Sequence, residues 1–304
     1  MSRKFSEAAR RLGAALALLG LAACAPAAAV PELLYSEPTS QRITWSNYDL
    51  MTLPAPESRV SVAVYNYNDQ TGQFRPTDGG AQTLSRAVSQ GATSILIKAL
   101  EDAGQGQWFQ VIERERLDNL LKERQIIREM RQRFLGEKEP PPSALPPLLF
   151  AGLLLEGGVI GFDSNTLTGG AGARYLGIGG STRYRQDTVT VYLRAVSVKT
   201  GEVLTTVTAK KTIASYSIAG NAFRFVGFRD LLEAEVGVTT NEPDQLALRQ
   251  AIEKAVHNLV LEGAQRRLWA FADAAEAEPL LAAYEKEKYR GLARDKAKAA
   301  KGAS

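Results

Sequence analysis

Thr188 to Ile213 reads TVTVYLRAVSVKTGEVLTTVTAKKTI, two alternating runs joined by a short turn, KTGE, at 199–202. Alternation of apolar and polar positions is the period of a strand with one covered face. Two such runs around a short Gly-containing connection specify an antiparallel hairpin. Working outward, LLLEGGVIGFD from Leu153 predicts a buried strand, RVSVAVYNYND from Arg59 an earlier one, and WFQVIE from Trp108 a short one. Between them lie helical patterns. Leu84, Val88, Ile95, Leu96, Ala99 and Leu100 share one helical face. ERLDNLLKERQIIREMRQRF, from Glu115, carries Leu117, Leu120, Leu121, Ile127 and Met130 as its expected core side, until EKEPPPSALPP ends it. A last helix from about Asp244 to Phe271 presents Leu246, Ala251, Ala255, Leu259 and Leu268, with His257 as a lone surface or core-edge residue. Together these elements predict an α/β body.

Two segments do not belong to that body. Residues 166–186 and 216–240 interrupt strands rather than connect them, and structureless loops of such length are uncommon in compact domains. Each is near the length of two barrel strands of about ten residues plus a turn. In the second, Leu232, Ala234, Val236 and Val238 alternate with Glu233, Glu235, Gly237 and Thr239, which suits a wall with lipid on one face and water on the other. Tyr216, Phe223, Phe225 and Phe228 collect aromatics nearby, as an interfacial girdle requires. On this pattern alone, membrane hairpins and amphipathic hairpins packed on the soluble body stand equally.

The first segment holds GGAGARYLGIGG, Gly169 to Gly180, whose glycines raise the question of a phosphate cradle. The spacing answers it. Gly172 to Gly177 has the G-x-x-x-x-G interval, but Ile178 and Gly179 stand where Lys and Ser/Thr are needed, and Tyr175 fills the third glycine's place of a G-x-G-x-x-G. Glycines here suit close strand approach and sharp bending instead, with Arg174 and Tyr175 as the few large side chains.

The 304 residues contain one cysteine, Cys24, and one histidine, His257. That count removes disulfide frameworks, Cys/His zinc sites and most His-dependent nucleophile pairs; no catalytic constellation or metal set is found, so an enzyme is not expected. MSRKFSEAARR is basic, LGAALALLG apolar, and LAAC follows, the three regions of a secretory signal. Leu21 to Cys24 resembles a bacterial lipobox, which predicts a signal peptide over 1–23 and a diacylglycerol and N-acyl chain on Cys24, with no other cofactor. Pro26 and Pro31 argue against an uncleaved membrane helix. Loss of residues 1–23, with Arg3, Lys4, Arg10 and Arg11 against Glu7, takes the formal charge from +4 to +1. The basic balance therefore makes no case for nucleic acid. Residues 24–54 read as a Pro- and Ala-rich linker, 55–272 as the folded subunit, and 273–304 as a basic tail, helical or disordered.

A set of motifs in fixed order adds to this. LPAP at 53–56, VYN at 64–66, TGQF at 71–74, ER..L.NLL.ER.IIR from Glu113, EGG.IGF.SN from Glu156, GGAGARYLGIG from Gly169, TGE at 200–202, FRF at 223–225, LLE.EVG from Leu231 and TNEP from Thr240 resemble the curli secretion channel (CsgG) family. The resemblance implies a lipidated channel in the bacterial outer membrane with its soluble domain in the periplasm. It implies a nonameric homo-oligomer in which each α/β domain donates two hairpins to one transmembrane barrel. Unfolded curli-type amyloid subunits cross such a channel without ATP, and periplasmic and surface accessory proteins of the curli system are partners. The membrane-hairpin residues would include Gly172, Arg174, Tyr175, Gly177, Tyr216, Phe223, Phe225 and Phe228, with Glu233 and Glu235 facing the lumen. The constriction departs from the family pattern. After TGQF, Thr77 stands in place of a Tyr, and Thr83-Leu84 in place of an Asn-Phe pair, so the aromatic rings are lost. Leu84 then reads equally as an apolar pore collar or as a core residue at a helix start. The other reading of the whole chain is a non-conducting periplasmic scaffold for envelope or surface-fibre assembly.

Overall fold

The computed structural model describes residues 40–73, 88–168, 183–217, 223–226, 242–290 and 292. The chain divides into a leading unit, Met1–Arg42, of which only 40–42 are described, and a unit from Ile43 onward. In the second, the described elements run α1 (Trp45–Met51), β1 (Val60–Asp69), α2 (Ala92–Asp102), β2 (Phe109–Glu113), α3 (Leu117–Leu135), β3 (Leu153–Thr168), β4 (Arg183–Ser197), β5 (Val203–Ser217), β6 (Phe223–Val226), α4 (Glu242–Gln265) and α5 (Ala274–Lys288). The strands form one mixed sheet in the order β2-β1-β3-β4-β5-β6. β1 runs parallel to β2 and β3, and the remaining neighbours are antiparallel.

The opening hairpin forms as its pattern predicts. β4 and β5 pair from Tyr184↔Tyr216 to Val196↔Val203. At the turn, Gly201 has φ +73°, a left-handed conformation that costs an L side chain strain. Val189, Val191, Leu193 and Ala195 of β4 and Val207, Ala209 and Ile213 of β5 are buried on one face. Against that face lies α4, whose Leu248, Ala251, Ile252, Ala255, Val256, Leu259 and Val260 are almost wholly buried. α2 covers β1 and β2, and α1 and α5 pack on α4. The core is therefore one sheet face under a helical layer.

Several boundaries differ from the sequence reading. Residues 24–54, expected as a linker, contain α1: Leu50 is fully buried, and Asn47 and Leu53 nearly so. Tertiary contacts make this helix, which has little apolar periodicity of its own. The Thr44 hydroxyl oxygen accepts from the Asn47 N–H at 3.0 Å, donates to the buried Glu253 carboxylate, and Asn47 Nδ2 donates to Asp102 at 3.0 Å. Residues 273–304, expected as a tail, begin with α5, capped by Asp273 and anchored by the buried Ala277 and Tyr284. α4 stops at Gln265 rather than Phe271, because Arg267 takes φ +60° and Trp269 folds back to donate its indole N–H to the Val260 carbonyl at 2.8 Å. α2 starts at Ala92, so Val88 is buried ahead of the helix instead of within it.

The largest difference concerns α3. It is helical where expected, yet none of its residues is buried. Leu117, Leu120 and Ile127 are half-covered, while Leu121, Ile126, Met130, Phe134 and Leu135 are exposed. Its partner is the returning chain rather than the core. Arg131 grips Glu137 with two bonds of 2.8 Å, Arg124 donates to the Pro146 carbonyl at 2.6 Å, and Arg114 to that of Leu149 at 2.9 Å. The result is a pinned arm with an apolar outer side, to which Leu149 and Phe150 add.

Candidate functional site: the four-stranded ribbon

Strands of globular domains usually run about five or six residues. β3, β4 and β5 run 16, 15 and 15 residues. Their inner halves make the sheet just described. Their outer halves continue past it: β3–β4 pairing reaches Thr168↔Arg183, β4–β5 pairing reaches Tyr184↔Tyr216, and β6 adds to β5 from Ala214↔Val226 to Ser217↔Phe223. The described ends of both candidate hairpin segments thus lie in a single antiparallel ribbon, ordered β3-β4-β5-β6.

Two irregularities mark where the ribbon leaves the body. β1 and β3 shift register between Val64/Leu155 and Tyr67/Gly157, and β3 and β4 between Val159/Val191 and Gly161/Thr190. Each shift inserts one residue, which turns the following side chains to the other face and raises the local twist. The exchange is visible in β3: Leu155 and Val159 are buried, Ile160 at the bulge is 49% exposed, and Phe162 is buried again. Beyond these points β1 has ended, since its last pair is Asp69↔Val159.

The ribbon's base is polar. Asp187 and Thr188 are buried there, and the Thr188 and Thr212 hydroxyls lie 3.0 Å apart across β4 and β5. On the uncovered face of the sheet, Arg194 Nε donates to Glu156 at 3.0 Å, and Thr206, Thr208 and Lys210 face outward. Charge within the body has a structural use. Glu262, buried on α4, accepts from Tyr284 at 3.0 Å, Lys288 at 2.6 Å and Arg266 at 3.0 Å. Although burial pushes its carboxyl up, these three donors hold it below the ordinary value. His257 sits at the core edge with Nδ1 buried; desolvation, and then Lys254, bring its pKa down to about 4.

Of the residues singled out by sequence, Tyr216 lies in β5 and Phe223 and Phe225 in β6, on neighbouring strands but not paired with one another: the register is Tyr216↔Arg224, Ser217↔Phe223 and Ser215↔Phe225. Cys24, Thr77, Thr83, Leu84, Gly172, Arg174, Tyr175, Gly177, Phe228, Glu233 and Glu235 lie outside the described residues. Among the described residues no helix is long and apolar enough to cross a membrane, which says nothing of strands. Sequence reasoning missed the joint at Tyr67, Gln70, Gly157 and Tyr192. The EGG motif at 156–158 was its available signal, since paired glycines in a strand mark a bulge or a close approach.

The model of the family described as curli production assembly/transport component CsgG matches residues 44–288. The chain belongs to this family. The matched span opens at the Thr44 cap of α1 and closes at the end of α5, the first and last of the named helices. Its relatives include the curli production assembly/transport component CsgG of Escherichia coli (strain K12), 42% identical over 272 residues, or 88% of this chain and 94% of the relative. The protein of the same name from Salmonella typhimurium (strain LT2) is 41% identical over 271 residues, with the same coverage. Among solved structures, a PelC dodecamer from Paraburkholderia phytofirmans aligns over 67% of this chain and 90% of its own at 16% identity and a TM-score of 0.26, too slight a likeness to carry an argument.

Proposed function

We propose that this CsgG-family member acts in curli production as an outer-membrane channel subunit that exports unfolded curli-type amyloid subunits without ATP hydrolysis. The observation that carries this reading is the ribbon's pair of open edges. Past Val159, β3 has no partner on the side away from β4, and β6 has none on the side away from β5, among the described residues. An open edge in hydrocarbon leaves backbone groups unpaired at several kcal/mol each, so a lone ribbon cannot span; a closed ring can. β3 and β6 also run in opposite directions, because three antiparallel pairings separate them. One subunit's β6 edge is therefore matched to the β3 edge of a second copy, which gives the closed antiparallel wall of a barrel. The exposed apolar side of α3 supplies surface for contacts between bodies. In this reading Cys24 carries the lipid anchor in the periplasmic leaflet, hairpins over 166–186 and 216–240 cross the membrane with Glu233 and Glu235 toward the lumen, and Thr77, Thr83 and Leu84 line the constriction of a nonameric ring. Extended clients pass singly, which keeps aggregation-prone strands from pairing inside.

Planar-bilayer recording combined with particle imaging of detergent-extracted protein tests the proposal. A steady large conductance from ring-shaped particles is the expected result. Particles that never conduct would favour the scaffold reading.

A further inference from the structure

On the channel reading, the direction in which the β3–β4 ribbon leaves the body decides whether neighbouring ribbons meet. That direction is set where β1 ends. Tyr67, fully buried, donates its backbone N–H to Thr93 Oγ1 of α2 at 2.9 Å, which fixes this end of β1 to the helical layer. Gly157 and Gly158 lie alongside with no room for a side chain: a Cβ at Gly157 would come within 2.2 Å of the Tyr192 carbonyl oxygen and 2.6 Å of the Tyr67 ring, and one at Gly158 within 2.3 Å of the Asn68 carbonyl oxygen. Gln70 follows the last β1 pair. Its backbone N–H donates to the Val159 carbonyl at 2.9 Å, and its side-chain Nε2 reaches the Gly157 carbonyl at 3.4 Å and the Tyr192 hydroxyl at 3.2 Å. One side chain thus links β1, β3 and β4 between the two register shifts.

We propose that Gln70 is a positioning residue: with the Tyr192 hydroxyl it fastens the end of β1 across β3 to β4 and fixes the angle of the outgoing ribbon against the body. Its bonds hold an orientation rather than the fold, because the core beneath is closed without them. The glycine packing makes the joint thin, and the double bulge bends and twists the strands there, so a surface cross-tie at this point has leverage over everything beyond it.

The test uses the full-length lipidated protein with spin labels at Lys98→Cys on α2 and Asp163→Cys on β3 past the joint, labelled subunits being diluted with unlabelled ones. Gln70→Ala is expected to broaden the label–label distance distribution while the thermal midpoint of the body stays put; Tyr192→Phe broadens it less, and the double variant no more than Gln70→Ala. Gln70→Lys, which keeps donors for both oxygens, restores the narrow distribution. In bilayers the same Gln70→Ala protein loses its single conductance level to a spread of levels. Unchanged distances in both Gln70→Ala and Tyr192→Phe would overturn the proposal whatever the conductance. Broadened distances in a protein whose unsubstituted form never conducts would leave the joint standing and remove the channel.

Discussion

α3 and α4 are the two longest helices among the described residues, and both carry apolar residues at helical spacing. α4 buries its stripe under the sheet, with Ile252, Ala255, Val256 and Leu259 fully covered. α3 buries nothing, and its Met130 and Phe134 are 51% and 71% exposed. Composition foreshadows the difference. α4 has small and branched residues on several sides, whereas α3 between Leu117 and Leu135 carries Lys122, Arg124, Arg128, Arg131 and Arg133 among its apolar positions. A stripe therefore says that a face will be covered, and leaves open whether the cover comes from the same chain.

Substitution in α4 makes the largest difference between the two helices. Leu259→Ala removes a fully buried side chain between the helix and the sheet, and is expected to cost about 2–5 kcal/mol in denaturant unfolding of the folded unit. A loss below about 1 kcal/mol would mean that α4 is not the centre of the core.

Acid is the next probe of α4. The His257 pKa lies at about 4 in the fold against 6.5 as its ordinary value. Protonation therefore favours the unfolded chain: the contribution is complete above pH 6.5, falls as pH drops towards 4, and changes no further below that. Lys254, Asp49 and Glu287 are the charged groups acting on the ring, with Asn258 the next residue along α4. Urea unfolding at several pH values should show roughly 2–3 kcal/mol of extra loss in the native protein relative to His257→Gln. Parallel pH curves for the two would remove His257 from the account. Smaller again is Tyr284→Phe, which takes one of three donors from Glu262 and loosens α5 by about 1 kcal/mol, read as a lowered melting midpoint.

The same contrast shows which features could be read from sequence. Alternation in β4 and β5 and the α4 stripe are local patterns, and both resolve into the expected elements. α1 could not be read that way, because its anchors join Thr44 to Glu253 and Asn47 to Asp102, pairs remote in sequence that only the tertiary fold brings together. The ribbon was half legible. Interrupted strands and clustered aromatics marked 166–186 and 216–240 as unusual, but the pairing of β4 with β5 that merges them into one sheet depends on register, and the two bulges are invisible to a period-two pattern.

The smallest expected effect on the body is the one that separates α3 from α4 most sharply. Met130 and Phe134 stand one turn apart on the exposed side of α3, and each can become glutamate without burying a charge. Met130→Glu with Phe134→Glu should leave the melting midpoint of the folded unit within about 0.5 kcal/mol of its starting stability. If that face meets another subunit, the same pair places two carboxylates in an apolar contact, and ring-shaped particles give way to smaller species in light scattering and particle imaging. Intact rings would show that α3 faces water in the assembly and that closure rests on the ribbon edges alone. Collapse of the isolated body would show instead that α3 stabilises its own chain, and the distinction between the two helices would fail.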